Sequence, residues 1–239
     1  RRLAFPHRSC LPSRLVVSIS LPSPAKVNLF LGVVGRRPDG FHELVTLMSG
    51  VTLSDGLAVW ADRSATSERV RLTVSDETIP ADETNLVIRA LRAIERQVGS
   101  LPTGVGVRLE KQIPHGAGLG GGSSNAAATL VAINRLFGLG LKADVLSQLA
   151  DELGSDVPFF LHRGAALARG RGEQIDPVRL PVLDLLLIHP PVSISTPAVY
   201  NALQAEDVSE EARAAVEAAA EEAVLALQSG DRPRWRNDL

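Results

Sequence analysis

One stretch near the middle of the chain limits the folds open to it, because five glycines fall within the seven residues from Gly116 to Gly122. Glycine inside a helix or strand costs about 0.5–1 kcal/mol, and it is favoured where the backbone takes a positive φ or approaches a ligand. Before this stretch, Val105, Val107 and Leu109 alternate with small or charged residues, which predicts a half-buried strand. The sequence therefore predicts a strand followed by a glycine loop, in which the glycines allow a positive φ or close approach to a ligand.

An alanine-rich pattern follows the loop and predicts a helix that runs to Phe137 and ends near Gly138, with Ser123 or Ser124 as its N-cap. A strand, a glycine loop and a helix N-terminus in this order bring free backbone N–H groups and the positive end of the helix dipole together, which favours phosphate binding. A flexible linker is the alternative, but linkers are not flanked so closely by a strand and a helix. The predicted phosphate-binding residues are Pro114, His115, Gly116, Ala117, Gly118, Leu119, Gly120, Gly121, Gly122, Ser123 and Ser124.

Two common phosphate loops do not fit these residues. A P-loop needs a lysine after its last glycine, but the residue after Gly122 is a serine and the loop holds no lysine. The dinucleotide pattern G-x-G-x-x-G is formally present at Gly116, Gly118 and Gly121, but residues 139–153 look helical where that fold needs a strand ending in an acid. The charge of a bound triphosphate must therefore be balanced by a cation and by a basic residue from elsewhere in the chain.

Composition narrows the class of protein. The 239 residues are 45% hydrophobic and 22% charged, with a net charge of −2, which is typical of a globular protein and argues against a nucleic-acid or membrane-surface partner. The single cysteine, Cys10, excludes an internal disulfide and a cysteine zinc site. The five histidines are scattered without metal-ligand spacing, so we predict no metal site built from protein side chains. We expect a monomer or a weak homodimer.

The order of predicted elements favours an α+β fold. Residues 44–60 and 69–75 have the short, β-rich pattern of a meander, and residues 82–98 then become helical. Further patterns predict helices over 142–153 and 210–228 and a continuous apolar strand over 183–188.

The first twenty residues hold four arginines and no acid. This bias is shared by organelle transit peptides, and it also arises from a mis-assigned start. We interpret residues 1–20 as a disordered or artefactual extension and expect a bacterial cytoplasmic protein, with a plastid location as the alternative if these residues belong to a transit peptide.

A lysine and an aspartate far apart in the chain are candidates for a catalytic pair. Residues 24–33 read as a strand that carries Lys26 and Asn28 on one face. Asp156 stands between a helix end and the apolar residues 157–161, read as a strand, where a carboxylate would lose solvent unless a cation paired with it. A solvated position is commoner for any one lysine, but Lys26 is the candidate partner of Asp156.

A Pro-Asp-Gly turn ends by presenting Phe41 and His42 together, a pair that either packs on its loop or sandwiches a flat ring. Residues 189–197 break the regular structure, and a helix that carries Tyr200 then begins.

Four stretches, residues 24–44, 113–130, 153–161 and 189–200, resemble the GHMP kinases. Within that family the first and last stretches are similar to members that phosphorylate a cytidylated methylerythritol. The resemblance implies an α+β fold of two domains with the active site in the cleft between them. It also implies transfer of the ATP γ-phosphoryl group to the 2-hydroxyl of 4-diphosphocytidyl-2-C-methyl-D-erythritol, in non-mevalonate isoprenoid synthesis.

By position in the family motifs, Asp156 takes or orients the hydroxyl proton and Lys26 is its partner, with ATP and Mg²⁺ as cofactors. Phe41 and Tyr200 match the residues that clamp the cytosine ring, and Phe41 stands where a tyrosine is usual, a change that keeps the stacking ring. The other substrate-contacting positions implied are Asn28, His42 and Thr196.

Family members continue for several tens of residues beyond the last residue here. The resemblance therefore implies an ATP-binding domain over 21–180 and an incomplete substrate domain over 181–239. Two alternatives stay open, another small-molecule GHMP kinase, such as a homoserine or mevalonate kinase, and a nucleotide-binding module without catalysis. A nicotinamide-dependent oxidoreductase is a more distant one.

Overall fold

The computed structural model describes residues 17–62, 70–101, 104–162, 164–190, 199–200, 202–203 and 208–239. These residues form a mixed α+β fold, with the helices gathered around one sheet. The strands are β1 (Ser18–Arg36), β2 (His42–Asp62), β3 (Val70–Val74), β4 (Gly104–Glu110), β5 (Ala165–Gly170) and β6 (Gln174–Val178). The helices are α1 (Leu86–Val98), α2 (Gly121–Leu136), α3 (Ala143–Leu153) and α4 (Glu210–Ser229), with a short 3₁₀ helix at Pro158–Leu161.

The sheet is organised around the long antiparallel pair of β1 and β2. Along β2, residues 44–49 pair with β5 and residues 56–62 pair with β4, and the strand order is β3-β4-β2-β5-β6. The predicted meander is wrong, because β3 runs parallel to β4 and does not pair with β2. A parallel pair needs a crossover, and α1 supplies it between β3 and β4.

Two large apolar clusters of the described residues hold the α-helices to the sheet, and a third, small one holds Phe159 of the 3₁₀ helix against β2 and β5. The largest cluster joins α1, α2 and α3 to β2 and β4, and the second joins α4 to β1, β2 and β5. The predicted alternation of β1 fails at Leu29 and Phe30, which are both buried, because a register shift separates Asn28 from Phe30. Helix α4 lies in the region predicted as a second domain, and the boundary at residue 180 stays a prediction.

The first residues of helices α1 and α2 differ from the sequence prediction, because the N-cap of α1 is an asparagine and that of α2 is a glycine. Helix α2 begins at Gly121, directly after Gly120 in the left-handed region, so neither Ser123 nor Ser124 is its N-cap. Helix α1 begins at Leu86, later than expected, because the side chain of Asn85 accepts the N–H of Val87. Helices α3 and α4 confirm the predicted segments, whereas residues 158–161 form a 3₁₀ helix and not the strand expected there.

The apolar run at 183–188, predicted as a strand, has no regular structure, and Leu186 and Ile188 are more than four fifths exposed. Near the last residue, Leu31 of β1 exchanges backbone hydrogen bonds with Arg236 and Asp238. No helix among the described residues has the length and apolarity needed to cross a membrane.

Candidate active site

Lys26 and Asp156 meet in space although 130 residues of chain separate them. The Lys26 Nζ lies 3.5 Å from Asp156 Oδ2, and it donates a hydrogen bond of 3.1 Å to Asn28 Oδ1. The predicted pairing is confirmed, but the predicted burial is reversed, since the lysine side chain is 7% exposed and the aspartate 36%. A 3₁₀ helix follows Asp156 in place of the predicted strand, and the carboxylate is partly open to solvent.

The glycine loop lies directly beside this pair. Gly116, Gly118 and Gly120 all have φ near +70°, which explains why glycine stands there. The N–H of Lys26 donates to Leu119 O at 3.0 Å, so the strand that carries the lysine is hydrogen-bonded to the loop. A Cβ at Gly120 would lie 3.1 Å from Lys26 Cγ, which shows how closely the two pack.

The loop leaves its amides available. Within the described part of the chain, no backbone N–H from Gly118 to Ser123 donates a hydrogen bond to protein. Gly118 and Gly122 are exposed, so these amides are open to solvent at the positive end of the α2 dipole. The arrangement therefore fits the phosphates of a nucleotide, with Lys26 supplying the cation that the loop lacks.

Ser124 is placed differently from the other predicted phosphate-binding residues. It is 1% exposed, its N–H donates to Gly120 O, and its hydroxyl accepts from Ser23 Oγ at 2.8 Å. Both polar groups of Ser124 are therefore engaged behind the loop, away from its open surface.

A buried polar network, which sequence reasoning missed, supports the loop from behind. Asp55 accepts hydrogen bonds from the N–H groups of Gln112 and Ile113 at 2.7 and 2.9 Å and pairs with Lys111. Asn125 Nδ2 donates to Asp55 Oδ2 at 2.9 Å and to Ser23 Oγ at 2.8 Å. We call this set the anchor network, and its side chains belong to Ser23, Asp55, Lys111, Ser124 and Asn125.

The anchor network joins β1, β2, the end of β4 and the first turn of α2. Lys111 Nζ also approaches the start of α2, where it would lie 3.3 Å from a Cβ at Gly121. A sequence signal existed, since Asp55 interrupts an apolar strand pattern between Leu53 and Leu57. Its partner lies 56 residues away, however, and nothing in the sequence marks that pairing.

A second group of side chains, the aromatic end, consists of Phe41, His42, Arg171 and Tyr200. The His42 and Tyr200 rings stack with centroids 5.2 Å apart, and the Arg171 guanidinium carbon lies 5.0 Å from the centroid of Phe41. Phe41 is 52% exposed. The structure thus brings His42 and Tyr200 together, while Phe41 has the guanidinium as its ring contact.

Tyr200 also lies close enough to Asp156 to feel its charge. Burial, and then the negative charge of Asp156, raise the pKa of its phenol to about 12. The phenol is therefore neutral at physiological pH. Thr196, predicted to contact substrate, lies outside the described residues.

The turn that carries Phe41 and His42 is fixed by arginines that the sequence did not single out. The carboxylate of buried Glu43 forms two ion pairs. Its Oε2 lies 2.8 Å from Arg37 Nη1, and its Oε1 lies 2.6 Å from Nη1 of Arg213 in α4. Arg37 also hydrogen-bonds Asp39, which lowers the pKa of that carboxyl, and Asp39 in turn accepts the N–H of Phe41. The exposed Phe41 ring is therefore presented from a braced turn.

A separate groove of about 1420 Å³ lies between α2, the 3₁₀ helix and residues 178–187. Neither Lys26 nor Asp156 lines it, and its walls are largely aliphatic. We therefore place the candidate site at the pair and the loop, where the charged groups and free amides meet.

Comparisons with known proteins show the family of the chain. A family model for the N-terminal domain of GHMP kinases matches residues 85–164, which contain the loop, α2, α3 and Asp156. The fold and the loop thus define a GHMP kinase N-terminal domain.

Closer relatives narrow the class. A 4-diphosphocytidyl-2-C-methyl-D-erythritol kinase of Synechococcus is 40% identical over 92% of this chain and 74% of its own length. One from Methylococcus capsulatus is 45% identical over 77% of this chain and 62% of its own. A crystal structure of 4-(cytidine 5'-diphospho)-2C-methyl-D-erythritol kinase is 36% identical with a TM-score of 0.72, over 92% of this chain and 75% of that one.

The chain therefore belongs to the family of 4-diphosphocytidyl-2-C-methyl-D-erythritol kinases. It spans about three fifths of the length of the Methylococcus relative.

Proposed function

We propose that this chain transfers the γ-phosphoryl group of ATP to the 2-hydroxyl of 4-diphosphocytidyl-2-C-methyl-D-erythritol, giving the 2-phosphate and ADP in the non-mevalonate isoprenoid pathway. The observation that carries the proposal is the contact between Lys26 and Asp156 at 3.5 Å beside the open amides of the glycine loop. Family membership supports the choice of substrate.

In the proposed step, the substrate 2-oxygen forms a bond to the γ-phosphorus while the bond from that phosphorus to the β–γ bridging oxygen breaks and releases ADP. Asp156 accepts the hydroxyl proton, and its 36% exposure lets a substrate hydroxyl reach the carboxylate. The Lys26 ammonium offsets negative charge on the transferring group, and the loop amides hold the other phosphate oxygens. Positioning and fixed charge account for catalysis of this kind.

Mg²⁺ fits this site as a cation held mainly by the nucleotide. Among the described residues no three His, Cys, Asp or Glu side chains are grouped to hold a metal. Magnesium commonly binds through one or two carboxylates together with substrate phosphates, and Asp156 is a carboxylate on the open side of the loop. The ion would neutralise phosphate charge during the transfer.

The aromatic end is proposed as the cytidyl site. Phe41 and Tyr200 stack on the cytosine, His42 faces the edge of the base, and Asn28 and Thr196 contact the substrate. Support comes from the exposed ring of Phe41 and from the closeness of Tyr200 to Asp156. His42 stacks on Tyr200 here, so binding of the base requires those two rings to separate or to present an outer face.

The proposal includes a cleft between two domains, with residues 21–180 in an ATP-binding domain and residues 181–239 in a substrate-binding domain. It also includes a monomer or weak dimer in the cytoplasm of a bacterium, or in a plastid if residues 1–20 belong to a transit peptide.

One observation favours a second candidate function, a nucleotide-binding module without catalysis. The apolar run at 183–188 follows β6 without pairing to any described strand, and Leu186 and Ile188 are exposed at 86% and 83%. A chain whose substrate side does not close around the alcohol would bind ATP without completing the transfer.

Release of ADP from the purified chain separates the candidates. For the kinase, release requires the cytidylated alcohol, and Asp156→Asn lowers the rate by about 10²–10⁴-fold, the range for loss of a catalytic base. Asp144→Asn, on the exposed first turn of α3, is the control and keeps the wild-type rate. ATP binding without transfer selects the module, and turnover of homoserine or mevalonate without a cytidyl group selects another small-molecule kinase.

A further inference from the structure

The turn between β5 and β6 contacts both ends of the candidate site. At one end, the Arg171 guanidinium carbon lies 5.0 Å from the centre of the Phe41 ring. At the other, a Cβ on Gly172 would lie 3.9 Å from Asp156 Oδ1 and 3.9 Å from Ser155 O. The turn therefore runs from the ring that would hold the base, at Arg171, to the carboxylate that would receive the hydroxyl proton, at Gly172.

The backbone of this turn is fixed. Gly170 and Gly172 have φ of +73° and +110°, and the N–H of Gly172 donates to Arg169 O at 3.0 Å. Glu173 accepts the backbone N–H of Arg171 at 2.6 Å and packs against Gly170. The guanidinium thus projects from a turn whose backbone is held by hydrogen bonds.

The guanidinium of Arg171 keeps its donors available. Its closest carboxylate is Glu173, whose Oε2 lies 3.9 Å from Nε, beyond hydrogen-bond distance. In the part of the chain that the structure describes, no hydrogen bond from its side chain is formed. Arg169, two residues earlier, differs, because it is bound to both Asp176 and Glu217.

Arg171 supplies positive charge among the carboxylates of Asp39, Asp151 and Glu173. Asp39, whose pKa is lowered chiefly by hydrogen bonds from Arg37, also feels the positive charge of Arg171. Asp156 carries negative charge on the other side of the turn. A polyanion that lies between these carboxylates needs a cation at that point, and a guanidinium binds phosphate oxygens in a bidentate fork.

We propose that Arg171 binds the diphosphate of the cytidylated substrate and so makes the site select a nucleoside-diphosphate ester over the free alcohol. This rests on the proposed function, which sets the base at Phe41 and the reacting hydroxyl at Asp156. The diphosphate is the part of the substrate that joins those two groups, and the turn that carries Arg171 runs from Phe41 to Asp156. Arg171 is a specificity-determining residue and takes no part in the proton transfer.

Binding titrations with cytidine, CMP and CDP test the proposal without relying on turnover. The wild-type chain is expected to bind CDP about tenfold or more tightly than cytidine, as charge-assisted hydrogen bonds would give. Arg171→Met keeps a stem of similar length and removes the charge, so it abolishes the gain from the diphosphate while cytidine binding stays the same. Arg171→Lys keeps the charge without the fork and retains part of the gain.

Two controls locate the effect. Arg89→Met, on the exposed side of α1, leaves all three affinities unchanged. Titration with ADP shows whether Arg171 binds the phosphates of ATP instead, and the proposal expects the same ADP affinity in Arg171→Met and wild type.

Three results overturn the proposal while the kinase assignment stands. In the first, Arg171→Met retains the full gain of CDP over cytidine. In the second, it weakens cytidine and CDP equally, which makes Arg171 a brace for Phe41. In the third, ADP affinity falls and the CDP gain is kept. Wild-type protein that binds none of the cytidine compounds contradicts the proposed function itself, and this inference with it.

Discussion

The two ends of the candidate site are held by different kinds of contact. Behind the glycine loop, Asp55 and Asn125 are 1% and 3% exposed, and every buried polar side-chain atom of the described residues has a partner. At the aromatic end, Phe41 is 52% exposed and rests on the guanidinium of Arg171, whose side chain is 32% exposed. The loop end is therefore fixed before any ligand arrives, whereas the aromatic end is open.

The contrast fits the ligand that we propose for each end. Phosphate charge is stabilised by dipoles that do not reorganise, so the loop and its amides need a rigid support. A flat base is held by stacking, which tolerates small movements of the ring. Changes at the loop end should therefore weaken nucleotide binding, and changes at the aromatic end should weaken binding of the cytidyl group and leave nucleotide binding unchanged.

The largest effect is expected from Asp55→Asn. This substitution leaves the buried Lys111 without its counter-charge, and removing one partner of a buried pair costs about 3–5 kcal/mol. Urea unfolding measures the free energy, and ADP titration measures the loss of loop support. Glu110→Gln, which breaks the exposed pair with Arg108, is the control and should cost about 1 kcal/mol or less.

Adding Lys111→Met to Asp55→Asn sharpens this test. The double variant should regain part of the lost stability, because no unpaired charge is then buried. An Asp55→Asn protein as stable as Glu110→Gln would show that the anchor network is not a rigid support.

Gly120→Ala is expected to have the next largest effect. Its new Cβ would lie 2.8 Å from the Phe160 ring and 3.1 Å from Lys26 Cγ, at a φ of +69°. The backbone strain should cost about 1–2 kcal/mol, and the displaced Lys26 should lower kcat. Circular dichroism melts and the ADP-release assay measure the two effects.

Gly118→Ala is the matched control for that prediction. Gly118 has the same φ of +69°, but a Cβ there has no atom within 4 Å. It should show the loss of stability without the loss of kcat. Equal kcat values in the two variants would mean that contact between the loop and Lys26 does not matter for transfer.

At the aromatic end, Glu43→Gln should weaken cytidine binding and leave ADP binding unchanged. The neutral side chain holds Arg37 and Arg213 less firmly, so the Phe41 turn loosens, with a cost of about 1.5–3 kcal/mol in the free energy of unfolding. Calorimetric titration with both ligands makes the comparison. Asp39→Asn is the control, because Asp39 is an exposed partner of the same Arg37, and it should change cytidine affinity and the free energy of unfolding less. A fall in ADP affinity in Glu43→Gln would contradict the separation of the two ends.

The smallest effect concerns Tyr200, which is the single tyrosine of the chain. Its absorbance at high pH should titrate near pH 12 in the folded protein after a rapid pH jump, and near pH 10 in denaturant. Because the folded-state pKa is the higher one, the unfolded state loses its proton first, and stability falls as pH rises from about 10 to about 12.

The same titration in Asp156→Asn should give a lower Tyr200 pKa, since a negative charge has been removed. An unchanged pKa would mean that the tyrosine does not lie near the catalytic pair.

The sequence predicted those parts of the structure that are determined by residues close together in the chain. The glycine loop, its flanking strand and helix, and helices α3 and α4 follow from periodicity and composition, and the structure confirms them. Lys26 and Asp156 pair as predicted, but the argument from a desolvated carboxylate was wrong, because the Asp156 side chain is 36% exposed.

The errors arose where distant residues decide the structure. Strand β3 pairs with β4 through a crossover that no local pattern marks. The burial of Phe30 depends on a bulge in β1, and the pairing of Asp55 with Lys111 spans 56 residues. Arg171 was missed because its proposed role depends on Phe41 and Asp156, which are distant in the sequence and come near the β5–β6 turn only in the folded chain.

A crystal structure of this chain with Mg²⁺ and a non-hydrolysable ATP analogue tests the central claim most directly. We expect phosphate oxygens about 3 Å from the amides between Gly120 and Ser123, with the γ-phosphate beside Lys26 and Asp156. A nucleotide bound in the groove along residues 178–187, with those amides free of phosphate, would contradict it.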